Sequence, residues 1–191
     1  MNSTTRQQII KTTSDLLELQ GYYGTGLNQI IKESGAPRGS LYYYFPEGKE
    51  ELAAEAIAEH GQERMAHTRA VLAAHENASE AIYGLIMGIA QHIVQGGCTS
   101  GAPLAAVSLE TASTSERLRA VCQTSYEQQA LPIEEKLLAS GYPVPLAAQL
   151  TTLIVSAIEG AVILSRVRQN ATPLEDVAQV IKTLLDSTKP T

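Results

Sequence analysis

A short stretch near the N-terminus concentrates side chains that can hydrogen-bond to phosphates and to the edges of nucleobases. Arg38 can donate two parallel hydrogen bonds to guanine or hold a phosphate, and Gly39 beside it lets a DNA backbone come close. Tyr42, Tyr43 and Tyr44 add hydroxyl groups that can donate to phosphate oxygens, and rings that can pack on sugars and thymine methyl groups. This combination favours contact with nucleic acid.

The apolar residues around this stretch predict two short helices joined by a tight turn. In the first helix, apolar side chains recur at the i, i+3, i+4 spacing of one helical face, at Leu27, Ile30 and Ile31. Gly35 can take the left-handed conformation that ends a helix, and Pro37 suits the first turn of the next one. Leu41 and Phe45 are four residues apart and so point inward together. The pattern is typical of a helix-turn-helix.

Helical geometry limits what the three tyrosines can do. Consecutive helical residues are about 100° apart, so three in a row cannot share one face of a small helical core. We therefore expect one tyrosine to be mostly buried and the others to face outward. A structural helical hairpin without DNA contact is the alternative.

The composition is that of an ordinary globular chain. Of 191 residues, 44% are hydrophobic, and the net charge of −6 argues against a protein that coats nucleic acid regardless of sequence. No uninterrupted apolar run reaches the roughly 18 residues of a membrane span, and the N-terminus lacks the pattern of a secretory signal. The two cysteines, Cys98 and Cys122, are too few for a disulfide framework. The sequence predicts a cytoplasmic protein with no membrane partner.

Helix start and stop signals along the chain predict an all-α fold of about nine helices. A threonine–glutamine capping box at residues 4–8 starts the first helix, Gly21 ends it, and Thr25 can cap the second. Further helices are expected at 49–74, from the Asn77 or Ser79 cap to 95, from about 103, from 114 or 115 to 139, at 146–168, and at 173–186 with Thr172 as cap.

Two parts of the chain carry a family resemblance. The motif GAPRGSLYYYF, the lysine at 49 and the long helix after it resemble the TetR/AcrR family of transcriptional repressors. The later segment GGCTSGAPLAAVSLE is similar to the multidrug-resistance subgroup represented by LmrA and YxaF. The resemblance implies a helix-turn-helix DNA-binding domain over residues 1–48 and an effector-binding and dimerisation domain over 49–191, with helix 49–74 linking them. It also implies a homodimer that binds a palindromic operator in double-stranded DNA and is released by a small molecule.

The DNA contacts of this family fall, position by position, on the two helices of the turn and on the lysine that follows. They are Thr25, Arg38, Gly39, Ser40, Tyr42, Tyr43, Tyr44 and Lys49. Two features depart from the family pattern: many relatives have histidine in place of Tyr44, and the segment 46–48 lengthens the turn before Lys49 and brings an acid with it.

The helix predicted at 146–168 is apolar around too much of its circumference for a helix with one side in water. Ser156, Ala157, Gly160 and Ala161 are small enough to let another helix approach closely. We expect this helix and the last one to pack against their two-fold mates as a four-helix dimer interface. Burial within a monomer is the alternative. A dimer would also place two reading helices on the two halves of a palindrome.

Polar side chains within the C-terminal helices are the candidates for effector contacts. The set is Met87, Gln91, His92, Glu110, Tyr126, Glu159 and Arg166. Glu159 stands between apolar neighbours and could reach the rim of the interior, take up a proton, or bind a cationic or hydroxylated effector. Because the interior is mostly aliphatic, we expect a lipophilic effector, and planar molecules are among the candidates.

Other functions have less support in the sequence. His60, Glu63 and His67 have a spacing compatible with metal ligation, but no HExxH motif or cysteine cluster accompanies them, so we expect a solvated face and no metal. Cys98 follows two glycines and could sense oxidants or electrophiles, whereas Cys122 lies in a predicted helix and could simply be packed. No catalytic motif is present, so we expect neither an enzyme nor a cofactor. A helical protein-interaction module without specific DNA binding is the remaining alternative, and operator binding discriminates the two.

Overall fold

A computed structural model describes residues 4–97 and 103–188 of the chain. Within these residues nine helices are present and no strand. Their bounds are α1 Thr5–Gly24, α2 Leu27–Ser34, α3 Arg38–Tyr44, α4 Lys49–Ala73, α5 Ala78–Gln95, α6 Pro103–Thr111, α7 Glu116–Ala139, α8 Val144–Arg168 and α9 Thr172–Ser187. The all-α fold expected from the sequence is confirmed.

The described residues divide into two compact units. The first unit combines residues 4–62 with 103–126, and the second combines 63–97 with 127–188. Helices α4 and α7 each contribute to both units, because α4 runs past residue 62 and α7 past residue 126. The functional boundary expected between residues 48 and 49 stays a prediction.

Local sequence signals set the helices at the start of the first unit. The Thr4 hydroxyl accepts the N–H of Gln7 while the Gln7 side chain accepts the N–H of Thr4, which confirms the capping box. Gly21 interrupts α1 with a φ of 72°, and one further turn follows it. Gly35 ends α2 in the left-handed conformation, and Pro37 directly precedes α3. Helices α2 and α3 are therefore joined by the tight turn that the sequence predicted.

One hydrophobic core holds the first unit together. Helix α6 lies against α1, and its buried Leu104 and Val107 belong to the same cluster as the residues beneath α2 and α3. A fully buried large aliphatic or aromatic side chain contributes roughly 1.5–3 kcal/mol to folding. The largest residues of this core are Ile9, Leu17, Ile30, Leu41, Phe45, Leu52 and Leu118, each almost completely buried.

The second unit is built around the packing of α9 against α5 and α8. Asn77 caps α5 by accepting the N–H of Ser79 at 2.8 Å. The Ser79 hydroxyl also lies 2.5 Å from an Asp186 carboxylate oxygen, which joins the start of α5 to the end of α9. Tyr142 donates its hydroxyl to the carbonyl oxygen of Leu185 at 2.7 Å. These contacts fix α5, α8 and α9 at their ends.

Helix α8 buries one side and exposes apolar residues on the other. Leu150 and Ile154 are buried, whereas Leu153, Leu164 and Val167 are 49%, 47% and 77% exposed. By length and composition alone α8 could cross a membrane, with a mean hydropathy of 1.7 over its most apolar stretch, of which 33% is buried. One such helix is weak support for a membrane span, because core helices of globular proteins pass the same test.

Two predicted helix caps are wrong. Thr25 does not cap α2, since Gly26 holds that position and the Thr25 hydroxyl donates to the carbonyl oxygen of Gly21 at 2.7 Å. The extra turn of α1 after Gly21 carries Thr25 into the core. Thr172 is not the cap of α9 but its first residue, and the Asn170 side chain accepts the Thr172 N–H at 3.1 Å.

Candidate nucleic-acid interface

Helix α3 turns its apolar residues into the core and its polar residues outward. Leu41 and Phe45 are completely buried, as their spacing predicted. The guanidinium of Arg6 lies over the Phe45 ring, 5.6 Å from its centroid, and closes the core from the side of α1. The first turn of α3 is fixed by the Ser40 N–H, which donates to the Pro37 carbonyl at 2.9 Å. The outward face of α3 therefore rests on completely buried side chains.

All three tyrosines of α3 lie at the surface. The exposed fractions are 47% for Tyr42, 79% for Tyr43 and 36% for Tyr44. The prediction that one of them would be mostly buried is wrong, because Leu41 and Phe45 already fill the space beneath a helix of seven residues. The Tyr43 and Tyr44 rings meet edge to face, with centroids 5.1 Å apart, which restrains both rings.

Arg38 and Gly39 are exposed at the start of α3. Among residues 4–97 and 103–188, no ion pair involves Arg38, so its guanidinium is not committed to an acidic neighbour. A Cβ atom built on Gly39 would meet no atom within 4 Å, and nothing inside the fold requires glycine at this position. The surface at Gly39 is therefore accessible to a molecule that binds α3 from outside.

Two of the predicted DNA contacts are turned inward. Thr25 is 1% exposed, and its hydroxyl is committed to Gly21, so it cannot reach a phosphate in this conformation. Lys49 is half-buried, with its ammonium nitrogen 4.2 Å from the centroid of the Tyr22 ring. Burial lowers the pKa of Lys49, and the nearby Glu110 carboxylate acts in the opposite direction. The structure thus brings together the six predicted contacts on α3 and directs Thr25 and Lys49 elsewhere.

The predicted effector residues are divided between the two units. Glu110 and Tyr126 belong to the first unit, where Glu110 accepts the N–H of Tyr23 at 2.9 Å and Tyr126 packs against the core. The second unit holds the half-buried Met87, Glu159 and Arg166 and the exposed Gln91 and His92. The carboxylate of Glu110 therefore already has a partner in the unit that contains α3.

Three buried polar atoms of the second unit were missed by sequence reasoning. Gln128 Oε1, Thr151 Oγ1 and Ser165 Oγ are inaccessible and make no hydrogen bond within the described part of the chain. A buried polar group without a partner costs roughly 1–3 kcal/mol, so these three atoms are uncommon in the interior of a folded chain. The signal that could have found these residues is a hydroxyl or amide side chain among apolar helix residues. The sequence analysis selected the charged Glu159 instead.

The metal and thiol alternatives gain no site in the described residues. No group of three or more histidine, cysteine or acidic side chains that could hold a metal converges there, at His60, Glu63 and His67 or elsewhere. Cys98 lies outside the described residues. Cys122 is buried in α7, and burial raises the pKa of its thiol, which keeps it protonated and poorly reactive.

Both ends of the chain match known families of regulators. Residues 9–56 match the bacterial regulatory proteins of the tetR family, and residues 78–180 match the C-terminal domain of LmrA/YxaF-like transcriptional regulators. The chain is 40% identical over 183 residues to the HTH-type transcriptional regulator LmrA of Bacillus subtilis (strain 168), covering 94% of this chain and 96% of LmrA. It is 41% identical over 180 residues to YxaF, an uncharacterized HTH-type regulator of the same organism, covering 94% of each chain.

Solved structures of other regulators share the fold. The reduced form of NemR from E. coli gives a TM-score of 0.85 at 21% identity, covering 98% of this chain and 100% of that chain. A cysteine-substituted CifR, solved with a 26 bp double-strand operator DNA, gives a TM-score of 0.78 at 18% identity, covering 92% and 94% of the two chains. These structures agree with the nine-helix architecture of the described residues, and the sequence matches establish the relationship: the chain belongs to the TetR family of bacterial transcriptional regulators and carries an LmrA/YxaF-like C-terminal domain.

Proposed function

We propose that this regulator is a ligand-responsive repressor, which binds a palindromic operator as a homodimer and leaves it when a small lipophilic effector binds. The observation that carries the proposal is that α3 has two different faces. One face buries Leu41 and Phe45 completely, and the other presents hydrogen-bonding residues outward. CifR, which has the same fold, was solved with operator DNA and supplies the precedent. A regulator of this kind acts in the cytoplasm, where bacterial DNA lies.

The exposed residues of α3 would make different kinds of contact with DNA. Arg38 is the candidate for reading a base, because a bidentate arginine–guanine contact contributes about 1–3 kcal/mol of discrimination. Tyr42, Tyr43 and Ser40 would donate to phosphates and fix the register, while Gly39 leaves room for the DNA backbone. Tyr44, the least exposed of the three tyrosines, would contact DNA at the edge of this surface.

Thr25 and Lys49 would support this surface from within. The buried Thr25 hydroxyl holds the end of α1 through its bond to Gly21, and Lys49 holds the start of α4 against the Tyr22 ring. Gly26 has no side chain with which to cap α2, so the first N–H groups of α2 can donate to a phosphate. A direct phosphate contact by Lys49 would first require its ammonium to leave the Tyr22 ring.

The exposed apolar side of α8 supports the homodimer. Leu153, Gly160, Leu164 and Val167 recur at helical spacing along this side, and a Cβ atom on Gly160 would meet nothing within 4 Å. Val180 of α9 is 67% exposed. Contiguous apolar surface of this kind is uncommon on monomers. We propose that α8 and α9 pack on their two-fold mates as a four-helix interface, which also supplies the second reading helix that a palindrome requires.

The effector would bind in the second unit. Gln128, Thr151 and Ser165 offer buried polar atoms among aliphatic residues, and Met87, Glu159 and Arg166 stay candidates beside them. These groups suit a lipophilic molecule with a few hydrogen-bonding groups. To release DNA, the effector must prefer the conformation that does not bind it, and a coupling of about 1–3 kcal/mol would lower operator affinity roughly 5- to 150-fold.

The proposal is tested by measuring fluorescence anisotropy of labelled DNA from the region flanking the protein's own gene, at several salt concentrations. We expect saturable binding of a dimer to a palindrome, with an affinity that falls linearly in log salt. Arg38→Ala should weaken binding about tenfold or more, and Tyr42→Phe should weaken it less. The control Arg69→Ala removes the same charge from a surface ion pair with Glu135 in the second unit, and should leave affinity unchanged.

Two results would contradict operator recognition by α3. If no fragment of a genome-wide pool is preferred over random DNA, the helix-turn-helix is a shared fold without specific binding. If Arg38→Ala and Arg69→Ala weaken binding equally, the interaction depends on overall charge rather than on the face of α3.

A further inference from the structure

The turn between α6 and α7 is joined by side-chain contacts to the end of α1. Glu110 near the end of α6 accepts the backbone N–H of Tyr23 at 2.9 Å. The Tyr23 hydroxyl lies 3.2 Å from the hydroxyl of Thr114 in the same turn. The end of α6 and the turn after it therefore contact two atoms of Tyr23, which lies shortly before the helix-turn-helix.

The same turn and the start of α7 also contact the chain that follows the helix-turn-helix. Ser115 donates its hydroxyl to a Glu50 carboxylate oxygen at 2.5 Å, and Arg117 forms an ion pair with Glu47. Glu47 lies between α3 and α4, and Glu50 lies in the first turn of α4. Residues 110–117, from the end of α6 to the start of α7, thus contact the chain on both sides of α2 and α3.

Gly21 shows how closely Glu110 approaches α1. A Cβ atom built on Gly21 would collide with the Oε1 atom of Glu110, and the positive φ of Gly21 disfavours any other residue independently of space. The break at Gly21 also redirects the chain so that the Tyr23 N–H meets the carboxylate. Opposite charge is close by, because Lys49 lies near enough to Glu110 for the two to interact electrostatically. The contact is therefore built by several residues and not by one side chain.

We infer that Glu110, Thr114, Ser115 and Arg117 form a clamp that sets the orientation in which α2 and α3 meet DNA, with Glu110 as its main positioning residue. The inference rests on the proposed operator binding. Because the Tyr23 N–H lies in an exposed residue, water can replace Glu110 as its partner at small cost in stability. Loss of the clamp should therefore lower operator affinity more than it lowers the free energy of unfolding.

The test compares Glu110→Ala, Glu110→Gln and the matched control Leu109→Ala in the full-length protein. Leu109 is the neighbouring residue of α6, is 84% exposed, and takes no part in the clamp. We expect Glu110→Ala to weaken operator binding about tenfold, because α2 and α3 lose a contact that orients them and DNA binding must then restore that orientation. Glu110→Gln keeps an acceptor oxygen and should recover part of this loss, while Leu109→Ala should bind as wild type. Amide hydrogen exchange at Tyr23 should rise in Glu110→Ala only.

The clamp and the proposed function fail in distinguishable ways. If wild type binds an operator and Arg38→Ala weakens it, but folded Glu110→Ala binds as wild type, the clamp is wrong and the repressor stands. Equal losses in Glu110→Ala and Leu109→Ala would also overturn the clamp. Should Glu110→Ala not fold, Glu110→Leu replaces it, since it keeps the side-chain bulk without the acceptor, and wild-type affinity in that variant overturns the inference. If wild type prefers no DNA, the proposed function itself fails.

Discussion

Helices α3 and α8 treat their apolar residues in opposite ways. Helix α3 buries Leu41 and Phe45 completely and shows tyrosines to the outside, whereas α8 leaves Leu164 and Val167 47% and 77% exposed. The apolar side of α3 is completely covered by other residues of the same chain. The exposed side of α8 is not, since nothing among residues 4–97 and 103–188 covers it. One chain therefore completes the support of α3 by itself, whereas the homodimer proposed above would cover the exposed side of α8.

The largest expected effect is a loss of stability in Phe45→Ala, which the exposed Tyr43 of the same segment should not share. Phe45→Ala should lower the free energy of unfolding by about 3–5 kcal/mol, because it empties a completely buried site. Tyr43→Ala should change it by no more than about 0.5 kcal/mol, because Tyr43 is 79% exposed, yet should weaken operator binding. Urea unfolding and anisotropy measure the two quantities. A loss of stability in Tyr43→Ala comparable to that in Phe45→Ala would place Tyr43 in the core.

Short-range signals in the sequence predicted α2 and α3 well. The spacing of Leu41 and Phe45, the stop at Gly35 and the capping box at Thr4 each depend on residues within one or two turns, and the structure confirms them. Thr25 was misassigned because α1 continues for a turn beyond Gly21, and a break followed by more helix resembles an end. One-dimensional spacing also could not show that Leu41 and Phe45 leave no room for a tyrosine.

Long-range packing was beyond the reach of the sequence. The contact of Glu110 with Tyr23 joins residues separated by 87 positions, and no pattern near either residue indicates it. Glu110 was selected as an effector candidate because it is a polar residue in an apolar helix, and the sequence could not show that this helix packs on α1 in the first unit. The buried oxygen atoms of Thr151 and Ser165 likewise became visible only when their surroundings were known.

The second prediction tests whether the exposed side of α8 is an interface. Leu164→Glu would bury a carboxylate without a partner between two copies and should raise the dimer dissociation constant by about 100-fold or more. Leu131→Glu on α7 is the matched control, because Leu131 is 43% exposed against 47% for Leu164. Light scattering across a concentration series should show monomers for Leu164→Glu and dimers for the control. A wild type that is monomeric at all concentrations would refute the dimer.

The smallest expected effect concerns Cys122. It tests whether the core of the first unit excludes water well enough to keep the buried thiol protonated. Burial raises the pKa of the Cys122 thiol, so the folded protein keeps this proton at a pH where the unfolded chain, with the ordinary value of 9.0, has lost it. The stability that the protonated thiol contributes is therefore fully present below pH 9.0 and declines as pH rises above it. In a Cys98→Ser background, the difference in unfolding free energy between wild-type Cys122 and Cys122→Ala should shrink from pH 7 to pH 10. A difference that is constant or grows would show that the thiol ionises in the folded protein, and would return Cys122 to the candidates for a redox sensor.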